Sequence, residues 1–144
     1  MTTPTVNTTF AVTDADIASA FPVMRHLRPH LVEGTFVETV RAAERRGLQL
    51  VLHRHGDRVV AVAGFRLLDQ LKGGLVLYVD DLVTDEGERS KGYGDALLHW
   101  LIDHARAQGC KAFELDSGVQ RHGAHRFYLR HRMRISAYHF VLDL

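Results

Sequence analysis

Arg89-Ser90-Lys91-Gly92-Tyr93-Gly94 sets two cations and two glycines where a polar stretch gives way to an amphipathic pattern. The start of a helix leaves backbone N–H groups unpaired and carries positive partial charge. Glycines there let a phosphate approach the main chain closely, so the loop is a ready cradle for a pyrophosphate. It is neither a Walker loop, which needs glycines five apart and then Lys-Ser/Thr, nor a three-glycine dinucleotide fingerprint. Its plainer reading is a strand-to-helix turn with solvated charges. A second unusual feature lies just before it. Asp80 and Asp81 are adjacent inside Leu75 to Val83, a run otherwise typical of a strand buried on both faces. Strand alternation sends the two carboxylates to opposite faces, so at most one readily faces a given cleft. Either could instead be neutralised by an arginine, or cap backbone amides where the strand bulges.

The elements that must hold these residues are legible in outline. Thr8 to Val12 reads as a short strand. Thr13-Asp14-Ala15-Asp16 starts a helix that should fade before Pro29. Thr35 and Glu38 have capping-box spacing for a second helix ending at Gly47. Leu48 to His55, the Gly56-Asp57 turn and Arg58 to Leu67 form a hairpin signal. A helix from about Gly94 to Gln108 carries Leu97, Leu98, Leu101, Ile102 and Ala105 on one face. Lys111 to Asp116 reads as a strand, Gly123 to about His131 as a short helix and Ile135 to Leu142 as a last strand. This order predicts an α/β (α+β) fold: a mixed, mostly antiparallel central sheet with one parallel strand pair, flanked by helices on both faces. No linker divides the chain, so residues 1–144 are expected to form a single domain.

Together these residues resemble the GNAT superfamily of N-acyltransferases. Arg89, Gly92 and Gly94 match its Arg/Gln-x-x-Gly-x-Gly/Ala loop, which follows a strand and opens a helix. Leu82-Val83-Thr84-Asp85 looks like the strand ahead of that loop, and Ala96-Leu97-Leu98 like the helix after it. Ala124-His125-Arg126-Phe127-Tyr128, followed by Met133, resembles the second signature, a helix ending in Phe-Tyr. The sequence departs from the pattern in three places. Arg121 stands where an asparagine is common, the glycine usual after the tyrosine is missing from Leu129 to Met133, and Asp95 follows Gly94.

The resemblance implies acetyl-CoA as co-substrate. Backbone groups of Leu82, Val83 and Thr84 would pair with the pantetheine arm, and those from Arg89 through Ser90, Lys91, Gly92 and Tyr93 to Gly94 would hold the pyrophosphate. Arg121 could replace the asparagine as a phosphate or ribose contact. Acetyl transfer to an amine needs a place for the amine proton, stabilisation of the carbonyl oxygen and a proton for the departing thiolate. Tyr128, at the family's usual tyrosine position, is the candidate acid. Asp80 and Asp81 are candidates for holding or deprotonating the amine, with Asp80 favoured as the base. The acceptor, an amine of a small molecule or peptide, should be bound around His26 to Phe36 and by the last strand near Tyr138. Its charge stays open: the basic lining suits an anionic group, the two aspartates a cationic one. Pairing through edge strands implies a homodimer.

Composition removes other classes. Of 144 residues 46% are hydrophobic, and 18 Lys plus Arg nearly cancel 17 Asp plus Glu, leaving +1. That suits a globular domain and removes the simplest case for a nucleic-acid binder. The single cysteine, Cys110, excludes an internal disulfide and has no fixed base nearby in sequence. The ten histidines show no zinc spacing, so no metal is expected. No apolar run approaches a membrane span and Met1 to Asn7 has no leader pattern, so a cytoplasmic protein with no membrane partner is expected. Two other readings stay open. One is an acyl-CoA sensor that transfers nothing. The other is an acidic-partner or nucleic-acid surface built on Arg121, Arg126, Arg130, Arg132 and Arg134, in a stretch after Ser117 free of acids up to Leu142.

Overall fold

Thr13 opens the first helix, α1 (Asp14–Leu27), with a full capping box. Its hydroxyl accepts from the Asp16 backbone N–H at 3.0 Å, and the Asp16 carboxylate accepts from the Thr13 N–H at 3.1 Å. Those bonds hold the Asp16 carboxyl below its ordinary range. The second helix, α2 (Phe36–Glu44), starts differently from its sequence signal. Thr35 makes no side-chain cap, because a 3-10 turn over Glu33–Thr35 already leads the chain into the helix. The helix stops at Glu44 with Arg45 as its C-cap, so Gly47, at φ 106°, lies in the turn that follows and not at the C′ position expected of it.

The computed structural model describes residues 5–89 and 91–144. The chain forms two compact units, one reaching Glu114 and the other Leu115–Leu144. In the first, five strands lie in chain order across a sheet: β1 (Val6–Phe10), β2 (Gln49–His55), β3 (Arg58–Gln70), β4 (Gly74–Thr84) and β5 (Ala112–Leu115). β1 through β4 pair antiparallel. β5 follows a crossover through α3 (Tyr93–Ala107) and supplies the parallel pair with β4.

The two sheet faces carry different cores. Ile17, Ala20, Phe21 and Met24 of α1 and Phe36 and Val40 of α2 cover Leu50, Leu52, Val62 and Val83. On the other face α3 contributes Leu97, Leu98, Leu101 and Ala105, all buried at the helical spacing read from the chain. Each such leucine stabilises the fold by about 1.5–3 kcal/mol through burial alone. Beside them Phe10, Phe65, Trp100 and His104 form an aromatic cluster in which the Trp100 and His104 rings stack at 5.1 Å.

Burial pushes the imidazoles of His104 and His53 below the ordinary value. His53 is almost wholly buried and bonds its cross-strand partner Thr8 through Nδ1 at 2.8 Å. The unfolded chain therefore takes up protons first. The stability that these neutral rings contribute is whole above about pH 6.5 and is lost as pH falls through the depressed folded values. The urea midpoint is expected to drop between pH 7.5 and 5. His104→Phe, which keeps the ring contacts and removes the titration, should flatten that limb. An unchanged slope in the variant would exclude His104 as a source.

The second unit holds α4 (His122–Arg130), the expected short helix. The last strand expected over Ile135 to Leu142 does not form. Arg132 takes a left-handed φ of 65°, and residues 133–144 adopt no regular element. A strand exists only by exchanging hydrogen bonds with a neighbour, and among the described residues none forms a ladder with this stretch. Tyr138, Phe140 and Leu142 are accordingly exposed.

Candidate active site

Alternation along β4 is broken at the aspartates. Gly64 of β3 opposes Asp81, but the next β3 residue, Phe65, opposes Val79, so Asp80 is the extra residue of a bulge. Arg66 opposes Tyr78, which places Tyr78 and Asp81 on the same face as Gly64 and Arg66. The bulge thus brings both carboxylates to the α1/α2 face, contrary to the opposite-face expectation. The physical reason is local: one inserted residue resets the two-residue period.

Each carboxylate meets its own arginine. Arg66 donates to both oxygens of Asp80, at 2.8 and 2.7 Å, in a two-bonded fork, and lies over the Tyr78 ring. Hydrogen bonding to Asp80 raises the Arg66 pKa above its ordinary value. Arg28 donates through Nε to Asp81 at 2.8 Å and through an Nη to the Asp80 carbonyl at 3.0 Å. Gly64 makes room for this: a Cβ there would fall 2.9 Å from an Asp81 oxygen. Arg28 and Arg66 were not singled out from the chain. Their signals were an arginine directly before Pro29 and an arginine inside an otherwise apolar strand.

Asp81 also lines a cavity of about 310 Å³ between α1, α2 and the sheet. Its walls include Met24, Leu31, Phe36, Val40, Leu48 and Leu50, with Arg28 and His30 at the polar end. The segment from His26 to Phe36, expected at the acceptor site, supplies four of these residues. Tyr138, expected there too, belongs to the exposed stretch of the second unit.

Beyond Asp81, Leu82, Val83 and Thr84 keep their pairing with β3. On its other side β4 has a much shorter neighbour, four residues against eleven, entered by Lys111 donating to the Leu75 carbonyl. The end of β4 therefore runs past the four residues of β5.

The glycine loop opens α3 as predicted. Gly92 is its N-cap, in the left-handed region at φ 81°, with open space where a Cβ would stand. Tyr93 begins the helix and its hydroxyl lies 2.9 Å from Nδ1 of His55. Arg89 is exposed, whereas Lys91 reaches back to the buried Glu88 at 2.9 Å, which Arg58 also holds. Ser90 lies outside the described residues. In the second unit Tyr128 is half-buried on α4. Burial pushes its phenol up, while Arg121, through its charge and a hydrogen bond to the phenol oxygen, acts the other way. Burial likewise raises the Cys110 thiol. Among the described residues no group of three or more His, Cys, Asp or Glu is placed to hold a metal, and no helix is long and apolar enough to cross a membrane.

Comparison with known proteins identifies the family. The family model for the acetyltransferase (GNAT) family matches residues 16–132. An uncharacterized N-acetyltransferase of Bacillus subtilis, YhdJ, is 34% identical over 112 residues, covering 77% of this chain and 79% of the relative. The aminoalkylphosphonate N-acetyltransferase of Salmonella typhimurium is 36% identical over 66 residues, 46% of this chain and 43% of the relative. The crystal structure of an acetyltransferase from Trypanosoma brucei superposes with a TM-score of 0.79 at 24% identity, covering 97% of this chain and all of that one. A glycine-opened helix after a bulged strand, in a chain that the family model spans almost throughout, belongs to the GNAT family, and the protein is an acetyl-CoA-dependent acyltransferase.

Proposed function

We propose that the protein transfers an acetyl group from acetyl-CoA to the amine of a small molecule or peptide, by direct attack in a ternary complex. The observation that carries this reading is the end of β4. There Leu82 to Thr84, beyond the four-residue β5, adjoin a carboxylate, Asp81, that faces a cavity. The strand end suits the pantetheine arm, and the cavity suits the acceptor. Backbone N–H groups from Arg89 to Gly94 hold the pyrophosphate at the start of α3. Asp80, locked by Arg66, shapes the bulge. Asp81 is the better placed of the two to take the amine proton, directly or through water.

In the transfer, the amine nitrogen bonds to the acetyl carbon as the carbon–sulfur bond breaks. One proton leaves the nitrogen and one reaches the sulfur, and Tyr128 supplies the latter. The hydrogen bond between Arg121 and Tyr128 supports a tuning role for Arg121 more directly than a phosphate contact. A single domain over residues 1–144, a cytoplasmic location and a homodimer complete the proposal.

The test is release of free thiol from acetyl-CoA against polyamines, amino acids, aminoglycosides and peptide N-termini. Release that depends on one class of amine is the expected result. Saturable stabilisation by acetyl-CoA with no release across the panel would make the protein a sensor instead.

A further inference from the structure

We propose that the cavity between α1, α2 and β4 selects an amphoteric acceptor: an α-amino acid, or its phosphonate counterpart, with an apolar side chain. The proposal rests on the acetyl-transfer reading and names its substrate class. Three observations carry it. The cavity is walled mainly by apolar side chains and holds about 310 Å³, room for a body of several carbon atoms but not for a folded peptide segment. Its only carboxylate is Asp81, and that carboxylate is bonded to a cation of the same cavity, Arg28, at 2.8 Å. The pair is accessible to a ligand: the Arg28 and Asp81 side chains retain 42% and 20% exposure.

Charge balance then decides the ligand. A purely cationic amine leaves two cations sharing Asp81 beside apolar walls, and a pure anion leaves two anions sharing Arg28. A molecule carrying both charges on neighbouring atoms exchanges one ion pair for two, ammonium to Asp81 and anion to Arg28, and leaves nothing unpaired. Because the two protein charges touch, the ligand charges must also be close, as on one α-carbon. The third substituent of that carbon, the side chain, enters the apolar end among Met24, Phe36 and Val40. Arg28 is held at one side by the Asp80 carbonyl, so it can turn from Asp81 towards the ligand without leaving the site. The Salmonella relative is named for an acceptor with an amine and a phosphonate, the same charge pattern.

The experiment compares matched acceptors in the thiol-release assay: leucine against isoamylamine, and phenylalanine against phenethylamine. Each amine is its amino acid without the carboxylate. The amino acid should exceed its amine in kcat/KM by about 100-fold, less than a fully buried pair would give because both charges keep contact with solvent. Arg28→Gln should reduce that ratio to within about tenfold of unity, mainly through the KM of the amino acid. Ala43→Leu, which shrinks the cavity without touching either charge, should lower phenylalanine turnover at least tenfold relative to alanine. Equal use of amino acid and amine by the wild type overturns the proposal, as does a ratio unchanged in Arg28→Gln. If no amine is acetylated, the transfer reading fails separately. Calorimetric titration with phenylalanine then decides for the cavity. Saturable binding lost in Arg28→Gln upholds it, and no binding ends it.

Discussion

Tyr128→Phe is expected to lower turnover by about 100-fold while leaving acetyl-CoA affinity within about twofold, the pattern of a lost general acid. The departing thiolate of coenzyme A resembles an alkyl thiol, whose ordinary pKa near 8.5 lies below that of a phenol near 10. Burial pushes the Tyr128 phenol still higher, and Arg121 only partly opposes this. Two consequences follow. The phenol is fully protonated across neutral pH, so its hydrogen is always present to meet charge developing on sulfur. Complete proton transfer to the thiolate is uphill, so Tyr128 donates as charge develops on sulfur and is reprotonated from solvent, and much of the gain comes from a hydrogen bond that strengthens in the transition state. The rate should therefore show no alkaline decline from this group across neutral and mildly alkaline pH, and phenylalanine should remove the gain without altering the ring's packing. Replacing Arg121 by Gln should cost less, because it removes only the opposing influence and raises the phenol further. Unchanged turnover in Tyr128→Phe excludes the role. An equal loss of acetyl-CoA binding reassigns Tyr128 to the cofactor.

Those elements whose cause is local were readable from the chain. Thr13 caps α1 because a hydroxyl and an acid three residues on can satisfy each other without help. Gly92 opens α3 in a left-handed conformation that few other residues tolerate. The Leu97, Leu98 and Leu101 face needs only helical periodicity. The same logic failed at Thr35, where the spacing was right but a preceding 3-10 turn left no use for the cap. It failed again over Ile135 to Leu142, whose composition suits a strand but with which none of the described residues forms a ladder.

The candidate site shows the same division. Both aspartates, Tyr128 and the loop are visible as residue types and spacings. The arrangement of the two aspartates is not, because it depends on one residue inserted into β4 relative to β3. A bulge leaves no fixed mark in a single strand. It is a property of two strands in register, and register is decided by the facing hydrophobic pattern and the turns at either end. The arginine partners were invisible for the same reason. Arg28 lies 53 residues from Asp81, and Arg66 lies 14 from Asp80.

On the proposed reading Asp81, rather than the favoured Asp80, takes the amine proton, and paired substitutions test this. Asp81→Asn is expected to reduce kcat/KM by about 100-fold or more, the usual range for a general base. The amide keeps the size of the side chain and cannot take a proton. It also weakens the hold on Arg28, so the KM for the acceptor should rise. Asp80→Asn should cost activity no more than about tenfold but lower stability by about 1–3 kcal/mol. It unpairs the Arg66 fork in a half-buried setting, where a stranded charge is costly. Thermal melts read the other half of the prediction, with the larger shift in Asp80→Asn. The opposite pattern, activity lost in Asp80→Asn and stability lost in Asp81→Asn, would restore Asp80 as the base and make the Arg66 fork a device for positioning it.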